Sequence, residues 1–431
     1  MTKNFFAMIA ICSTIMIGIF CGGCGDDETP RLQTPEIYRR SAPVQEQVAV
    51  DVYFDATVSM KGYTTLAAGN VYRTLPDLLS DIGSSMGEVK FYGFGEKVKE
   101  LAGREYRKFS SPEPYSELIT AVHNVIDEAD AEHLTVIVTD LFESEADWSN
   151  ISNKIRNKYF ANHMAVAVIG IRNSFSGEIF DVGLNAAKFE YDSYDYAYRF
   201  RPFYLLVLGQ ESAVKNFMLR FKERQTLPNE TGYLLLSENL SETSNDFSKM
   251  TLESMENFFA NDKLSLADKT SREFGVDKFT DPASFTLTFN YNPPLGACPL
   301  NMEEMTPDVK IFSLNGEEWE TVSEDVEAKL TLTPVDDEKN LFTVQFKIMP
   351  EDCLKEDRIN FIHAELSPSE KGYLLPEWVR AWNMPNVDVE PANFDGSKTI
   401  NLIHVIGSLK NSVFAASRPA LVNLNFFVYA R

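Results

Sequence analysis

The chain has 431 residues, 44% hydrophobic and 24% charged, the composition of a folded protein long enough for two cores. With 63 acids against 40 bases its net charge is −23, which repels phosphate backbones and anionic headgroups and excludes nucleic acid as a partner. Solubility is the plain use of such a surface.

Lys3 and the apolar run Phe5 to Phe20 have the composition of an export signal. Roughly 16 residues make a helix of about 24 Å, short of the ~30 Å hydrocarbon core, so a cleaved leader over residues 1–23 is predicted. Residues 24–45, rich in Asp, Glu, Thr and Pro without apolar periodicity, read as a tether. Val48 to Phe54 is a β-branched and aromatic run ending in Asp55, the pattern of a strand buried on both faces. Helical spacing over Val71 to Ile82 is followed by a strand at Val89 to Phe94 and its return at Val98 to Leu101. Leu118 to Ile126 reads as a helix, and Leu134 to Val138 as a second buried strand running into Thr139 and Asp140. After a helix at Trp148 to Phe160 come strands at Ala165 to Ile171 and Phe203 to Leu208, then a helix at Ser212 to Lys222. This alternation predicts an α/β domain over residues 46–240 with a mainly parallel central sheet. The Tyr- and Asp-rich stretch from Phe175 to Arg199 interrupts the rhythm and predicts a hairpin or protruding loop.

Residues 241–280 are polar and read as a partly helical connector. Beyond it, Phe285 to Phe289, Lys329 to Thr333, Leu341 to Ile348 and Asn423 to Val428 alternate or run apolar at strand length, predicting a β-rich, sandwich-like domain over 281–431. There Trp378 and Trp382, four apart on one helical face, suit packing between domains or, alternatively, a carbohydrate platform. Cys298 and Cys353 are candidate disulfide partners; the bridge would close a loop of about 55 residues and stabilise by about 4 kcal/mol. The alternative is two buried thiols packing as small hydrophobes.

The chemistry concentrates after the first strand, in Asp55-Ala56-Thr57-Val58-Ser59 followed by Met60 and Gly62. A carboxylate and two hydroxyls on a loop at a strand's C-terminal end supply oxygen donors of the kind Mg²⁺ or Ca²⁺ takes, and other loops must complete the set. A phosphatase of the haloacid-dehalogenase type would need a second Asp where Thr57 stands. The five histidines form no zinc-type pair, and there is no nucleophile elbow, phosphate-cradling loop or dinucleotide fingerprint, so no enzyme is predicted.

The Asp-x-Thr-x-Ser segment resembles the first loop of the metal-ion-dependent adhesion site of von Willebrand factor A (vWA) domains, whose pattern is Asp-x-Ser-x-Ser. Ser116, in Tyr115-Ser116-Glu117-Leu118, stands in the place of that family's second-loop Thr. Thr139-Asp140-Leu141 stands for its third-loop Thr-Asp-Gly, keeping the acid and losing the glycine. The resemblance implies a Rossmann-like α/β fold and a Mg²⁺ site (or Ca²⁺ or Mn²⁺) formed by Asp55, Thr57, Ser59, Ser116 and Asp140. It also implies an open coordination position for an acidic side chain of a protein partner. The segment Cys21-Gly22-Gly23-Cys24 resembles a lipoprotein processing site, with Cys21 where Leu is usual, and implies lipidation at Cys24. The acids Asp26, Asp27 and Glu28 resemble the signal of Bacteroidota surface lipoproteins. Together these resemblances imply an outer-membrane lipoprotein, periplasmic or surface-exposed, that binds or scaffolds proteins through a metal. The competing reading is a carbohydrate- or envelope-binding accessory protein acting through the C-terminal β domain, with a purely structural vWA domain.

Overall fold

Strand β1 (Val50–Asp55) is buried at all six positions, because helices cover both faces of the sheet it belongs to. It belongs to a computed structural model that describes residues 35, 47–65, 70–141, 145–182, 187–195, 199–226, 230–241, 247–261, 271–323, 328–336, 340–385 and 394–430. The expected leader, Cys24 and all of the tether but Pro35 lie outside the described residues. Among those described, no helix is long and apolar enough to cross a membrane.

The first sheet also holds β2 (Val89–Phe94), β3 (Val98–Glu100), β4 (Leu134–Thr139) and β5 (Ala165–Asn173). A hairpin of β6 (Ser176–Val182) and β7 (Ala187–Asp192) follows, then β8 (Arg201–Gly209) and β9 (Thr231–Leu236). The order is β3-β2-β1-β4-β8-β5-β9. β1 runs parallel to β2 and β4, whereas every other neighbouring pair is antiparallel. The sheet is therefore mixed, which corrects the expectation of a mainly parallel one. The cause is the hairpin, which returns the chain so that β8 inserts between β4 and β5 and opposes both.

One face of this sheet packs under α1 (Leu75–Met86) and, after β8, α4 (Glu211–Arg224), through Leu75, Leu79, Ile82, Val214, Phe217 and Phe221. The other packs under α2 (Val122–Glu128) and α3 (Glu145–Lys158), through Val125, Ile126, Trp148, Ile151 and Ile155. Alternate residues of β1 serve the two cores, Val52 and Phe54 in one and Tyr53 in the other.

The stretch expected to be a partly helical connector instead supplies β10 (Thr251–Glu256), β11 (Phe258–Ala260) and β12 (Arg272–Val276). They join β13 (Ala283–Asn290), β14 (Met305–Asn315), β15 (Glu318–Ser323), β16 (Lys329–Asp336), β17 (Leu341–Ile348) and, after the short helix α5 (Pro350–Cys353), β18 (Ile359–Pro368). With β21 (Val422–Ala430) these form a four-stranded sheet, β10-β13-β17-β16, and a six-stranded one, β11-β12-β21-β18-β14-β15. Phe285, Leu287, Val344 and Phe346 from the first share one apolar cluster with Phe274, Ile362, Phe426 and Val428 from the second.

The C-terminal third is not all sandwich. Between β18 and β21 the chain crosses back with α6 (Glu377–Ala381), a small ladder of β19 (Asn383–Met384) and β20 (Thr399–Ile400), and α7 (Leu402–Ala416). Val405, Leu409 and Val413 of α7 complete the core shared with α3. The paired tryptophans lie here too. A Cβ on Gly232 would stand 2.4 Å from the Trp378 ring and one on Gly170 2.7 Å from Trp382, and the Trp378 indole donates to Tyr233 O at 3.1 Å. Both rings are thus spent on packing against β5 and β9.

Cys298 and Cys353 are both buried thiols, and the bridge weighed from sequence is not formed. They sit in different apolar clusters, one with Tyr373 and the other with Phe346 and Ile348, and Cys353 Sγ donates to Met349 O at 3.0 Å.

Candidate metal centre

Phe54 anchors its ring in the first core and hands the chain to Asp55, whose carboxylate is fully buried where β1 ends. Val58–Thr64 then coils into a 3-10 helix, and the loop before it folds back on its own acid. Thr57 donates to Asp55 Oδ1 twice, from its N–H at 2.9 Å and its hydroxyl at 2.7 Å. The hydroxyl oxygens of Thr57 and Ser59 are 3.0 Å apart. Ala56 N–H donating to Phe94 O at 2.7 Å, and Val58 N–H donating to Glu117 O at 3.0 Å, fix the loop against its neighbours.

The second loop docks by its backbone. Ser116 and Glu117 N–H groups both donate to Ala56 O, at 3.0 and 3.1 Å, and Glu117 bridges to Thr57. Ser116 itself is exposed, and the hydroxyl that arrives belongs to Thr120. Its Oγ1 lies 3.4 Å from Asp55 Oδ2 and 3.3 Å from Thr57 Oγ1. The expected Ser116 thus lies outside the group of hydroxyls around Asp55. Leu118 and Ile119 mimic the first turn of a helix that begins only at Val122, which hides Thr120 in the sequence. Leu118 and Ile119, read as helical, are instead loop residues.

The third loop follows β4. Thr139 Oγ1 donates to Asp55 Oδ2 at 3.0 Å and accepts the Leu141 N–H at 3.2 Å. Asp140 is buried beside them. Burial first, and then the Asp140 charge, push Asp55 up to about 7, against the hydrogen bonds from Thr57 and Thr139 that favour its ionised form. Leu141 stands in the left-handed region at φ 58°, the conformation a glycine would adopt without strain. Its side chain is buried against the second core, and the Trp148 indole donates to its carbonyl at 3.3 Å, which holds the conformation in place.

The β6–β7 hairpin roofs this constellation. A Cβ on Gly62 would stand 2.4 Å from the Phe175 ring, and Thr65 Oγ1 donates to Ser176 O at 2.8 Å. Beneath the roof a cavity of about 10 Å³, bounded by Ser59, Asp140, Glu178 and Arg201 among others, has room for one ion or one water. The Arg201 guanidinium is held by Gly396 O at 3.0 Å and Lys398 O at 3.2 Å and lies over the Phe175 ring.

The structure thus brings together Asp55, Thr57, Ser59 and Asp140 of the expected set, adds Thr120 and Thr139, and leaves Ser116 outside. Among the described residues no group of three or more His, Cys, Asp and Glu side chains could hold a metal, so a cation here depends on hydroxyl oxygens. Two carboxylates with four hydroxyls make an all-oxygen donor set suited to a hard divalent ion. Such an ion would also relieve the repulsion that raises Asp55. No protein-family model matches the chain, and no curated protein matches it.

Proposed function

We propose that this chain is a binding protein whose first body is a vWA-like, Rossmann-type α/β domain holding a divalent cation at Asp55, Thr57, Ser59, Thr120 and Asp140. The cation would grip a carboxylate on a protein partner, and the role is one of capture or scaffolding, not catalysis. The observation that carries this reading is the convergence of three loops on Asp55, two of them at strand ends, each contributing a hydroxyl within hydrogen-bond reach of it or of Thr57. With so few formal charges among its ligands, the ion stays electrophilic enough to hold an incoming acid. The hairpin closes the Ser59 side, so a partner's approach is expected past the second loop. There Leu118 and Ile119 stand 84% and 56% exposed, an apolar rim suited to a partner whose acid is flanked by apolar side chains. Export and lipidation at Cys24 belong to the same proposal and rest on the sequence. The packing of Trp378 and Trp382 speaks against the aromatic platform of the carbohydrate reading.

Calorimetry with Mg²⁺, Mn²⁺ and Ca²⁺ tests the site. Wild type is expected to bind, Asp55→Ala to lose binding, and Thr120→Ala to weaken it by about tenfold, while Ser116→Ala leaves it unchanged. No binding by the wild type at millimolar metal would refute the proposal.

A further inference from the structure

Behind the first metal loop, where β1 and β2 end, lies a cleft of about 250 Å³ that the metal site does not use. Leu101, Phe109 and Pro114 give it an apolar side, and polar groups make up about half of the lining. Gly93 lines it as well: a Cβ there would stand 3.0 Å from the tip of the Phe109 ring, so the glycine leaves that ring in place as a wall. The rim is basic. Lys97, Lys99 and Lys108 all line the cleft, against Glu105 and Glu117. Glu105 is committed on both oxygens, one accepting from Lys108 Nζ at 2.7 Å and the other from the Ala102 N–H at 3.2 Å. The stem of Glu117 lies across Gly95. Among the described residues neither Lys97 nor Lys99 has an ion-pair partner within 4.0 Å. Both lysines are exposed, so the rim presents two ammonium groups to solvent on a chain of net charge −23.

We propose that this cleft is a second ligand site, for a small organic anion with a carboxylate or phosphate at the lysine rim and a flat apolar body against Leu101, Phe109 and Pro114. Charge selects such a ligand: acidic surface elsewhere repels anions, and the lysine rim attracts them. Size selects it as well, since the volume suits a body of about one aromatic ring and lies just below the usual range for drug-sized ligands, about 300–1,000 Å³. The apolar side adds affinity that a bare anion cannot collect. The cleft shares Ala56 and Glu117 with the loops that frame the metal centre, yet the proposal does not depend on metal.

The test is calorimetric titration of the full chain in EDTA, so that no cation can capture the probe. Phenyl phosphate and benzoate serve as probes, with inorganic phosphate as the bare-anion reference. Saturable binding of phenyl phosphate or benzoate is expected, with inorganic phosphate weaker by about tenfold or more. The paired substitution Lys97→Glu and Lys99→Glu, both at exposed positions, is expected to weaken that binding by about tenfold or more at an unchanged melting temperature. Lys347→Glu, on the exposed face of β17, is expected to change nothing. No saturable binding of either organic probe at millimolar concentration overturns the proposal, and so does retained binding in the double variant.

Discussion

Above neutral pH, Asp55 has to carry its charge in a fully buried position beside a second carboxylate, and it does so only by collecting hydroxyl and amide donors. Its unfolded value is about 3.9 and its folded value is about 7, so between those limits the native state keeps a proton that the unfolded chain has released. The stability this contributes is complete below about pH 4 and is lost as pH rises through about 7. Metal-free protein is therefore expected to show a falling melting temperature across that interval in scanning calorimetry, and saturating Mg²⁺ to restore stability at the alkaline end. Metal affinity should fall on the acid side, because proton and cation compete for the same carboxylate. Asp55→Asn is expected to remove the repulsion with Asp140. In EDTA above neutral pH it should melt at or above the wild type, and it should no longer respond to metal. The two thiols make a separate prediction. Burial pushes Cys298 up to about 12 and Cys353 is equally enclosed, so neither should alkylate in the native protein. Both should alkylate once it is unfolded without reductant, as read by intact mass. At this scale Asp55, Thr57, Ser59 and Asp140 were legible, because they lie at or just beyond the ends of two buried strands. Thr120 was not, because the apolar Leu118 and Ile119 mimic a helical turn that the chain does not form.

Among the elements, the strands of the first sheet were readable because burial on both faces leaves continuous apolar runs. Their order and direction were not, since periodicity reports which face a residue serves and says nothing about its neighbour strand. β8 reads like any central strand, and only the return through the β6–β7 hairpin sets it antiparallel between β4 and β5. β10 went unread for the opposite reason: nearly every residue of Thr251–Glu256 is exposed, as befits an edge strand with little to bury. The helical spacing of Leu402, Val405, Ile406, Leu409 and Val413 is plain in retrospect but sits among β-rich sequence. The seam between α6 and the first sheet is open to test. Gly232→Ala would place a methyl group inside the Trp378 ring's position and is expected to cost about 1–3 kcal/mol. Chemical denaturation followed by tryptophan fluorescence measures that cost and the altered Trp378 environment together.

At the scale of the whole molecule, the two bodies are bound by a chain that leaves the first, builds most of the sandwich, and returns to finish the second core of the first body with α6 and α7. Residues 46–240 alone would expose Leu234, Trp148 and Ile151 where Val379, Trp382, Leu409 and Val413 now cover the second core. That fragment is expected to bind a hydrophobic dye and melt without cooperativity, whereas the full chain unfolds in a calorimetric transition that engages both bodies.

The placement of β21 between β12 and β18 governs how the protein is made as well as how it stands. A ribosome releases the central strand of the six-stranded sheet only after everything that must pair with it, and α7 emerges barely earlier. Throughout synthesis the growing chain therefore carries two half-built apolar surfaces that local pairing cannot close, and such surfaces are what holding chaperones bind. A nascent chain stalled at Ser417 should remain protease-sensitive along its length, and one extended past Ala430 should become resistant in a single step.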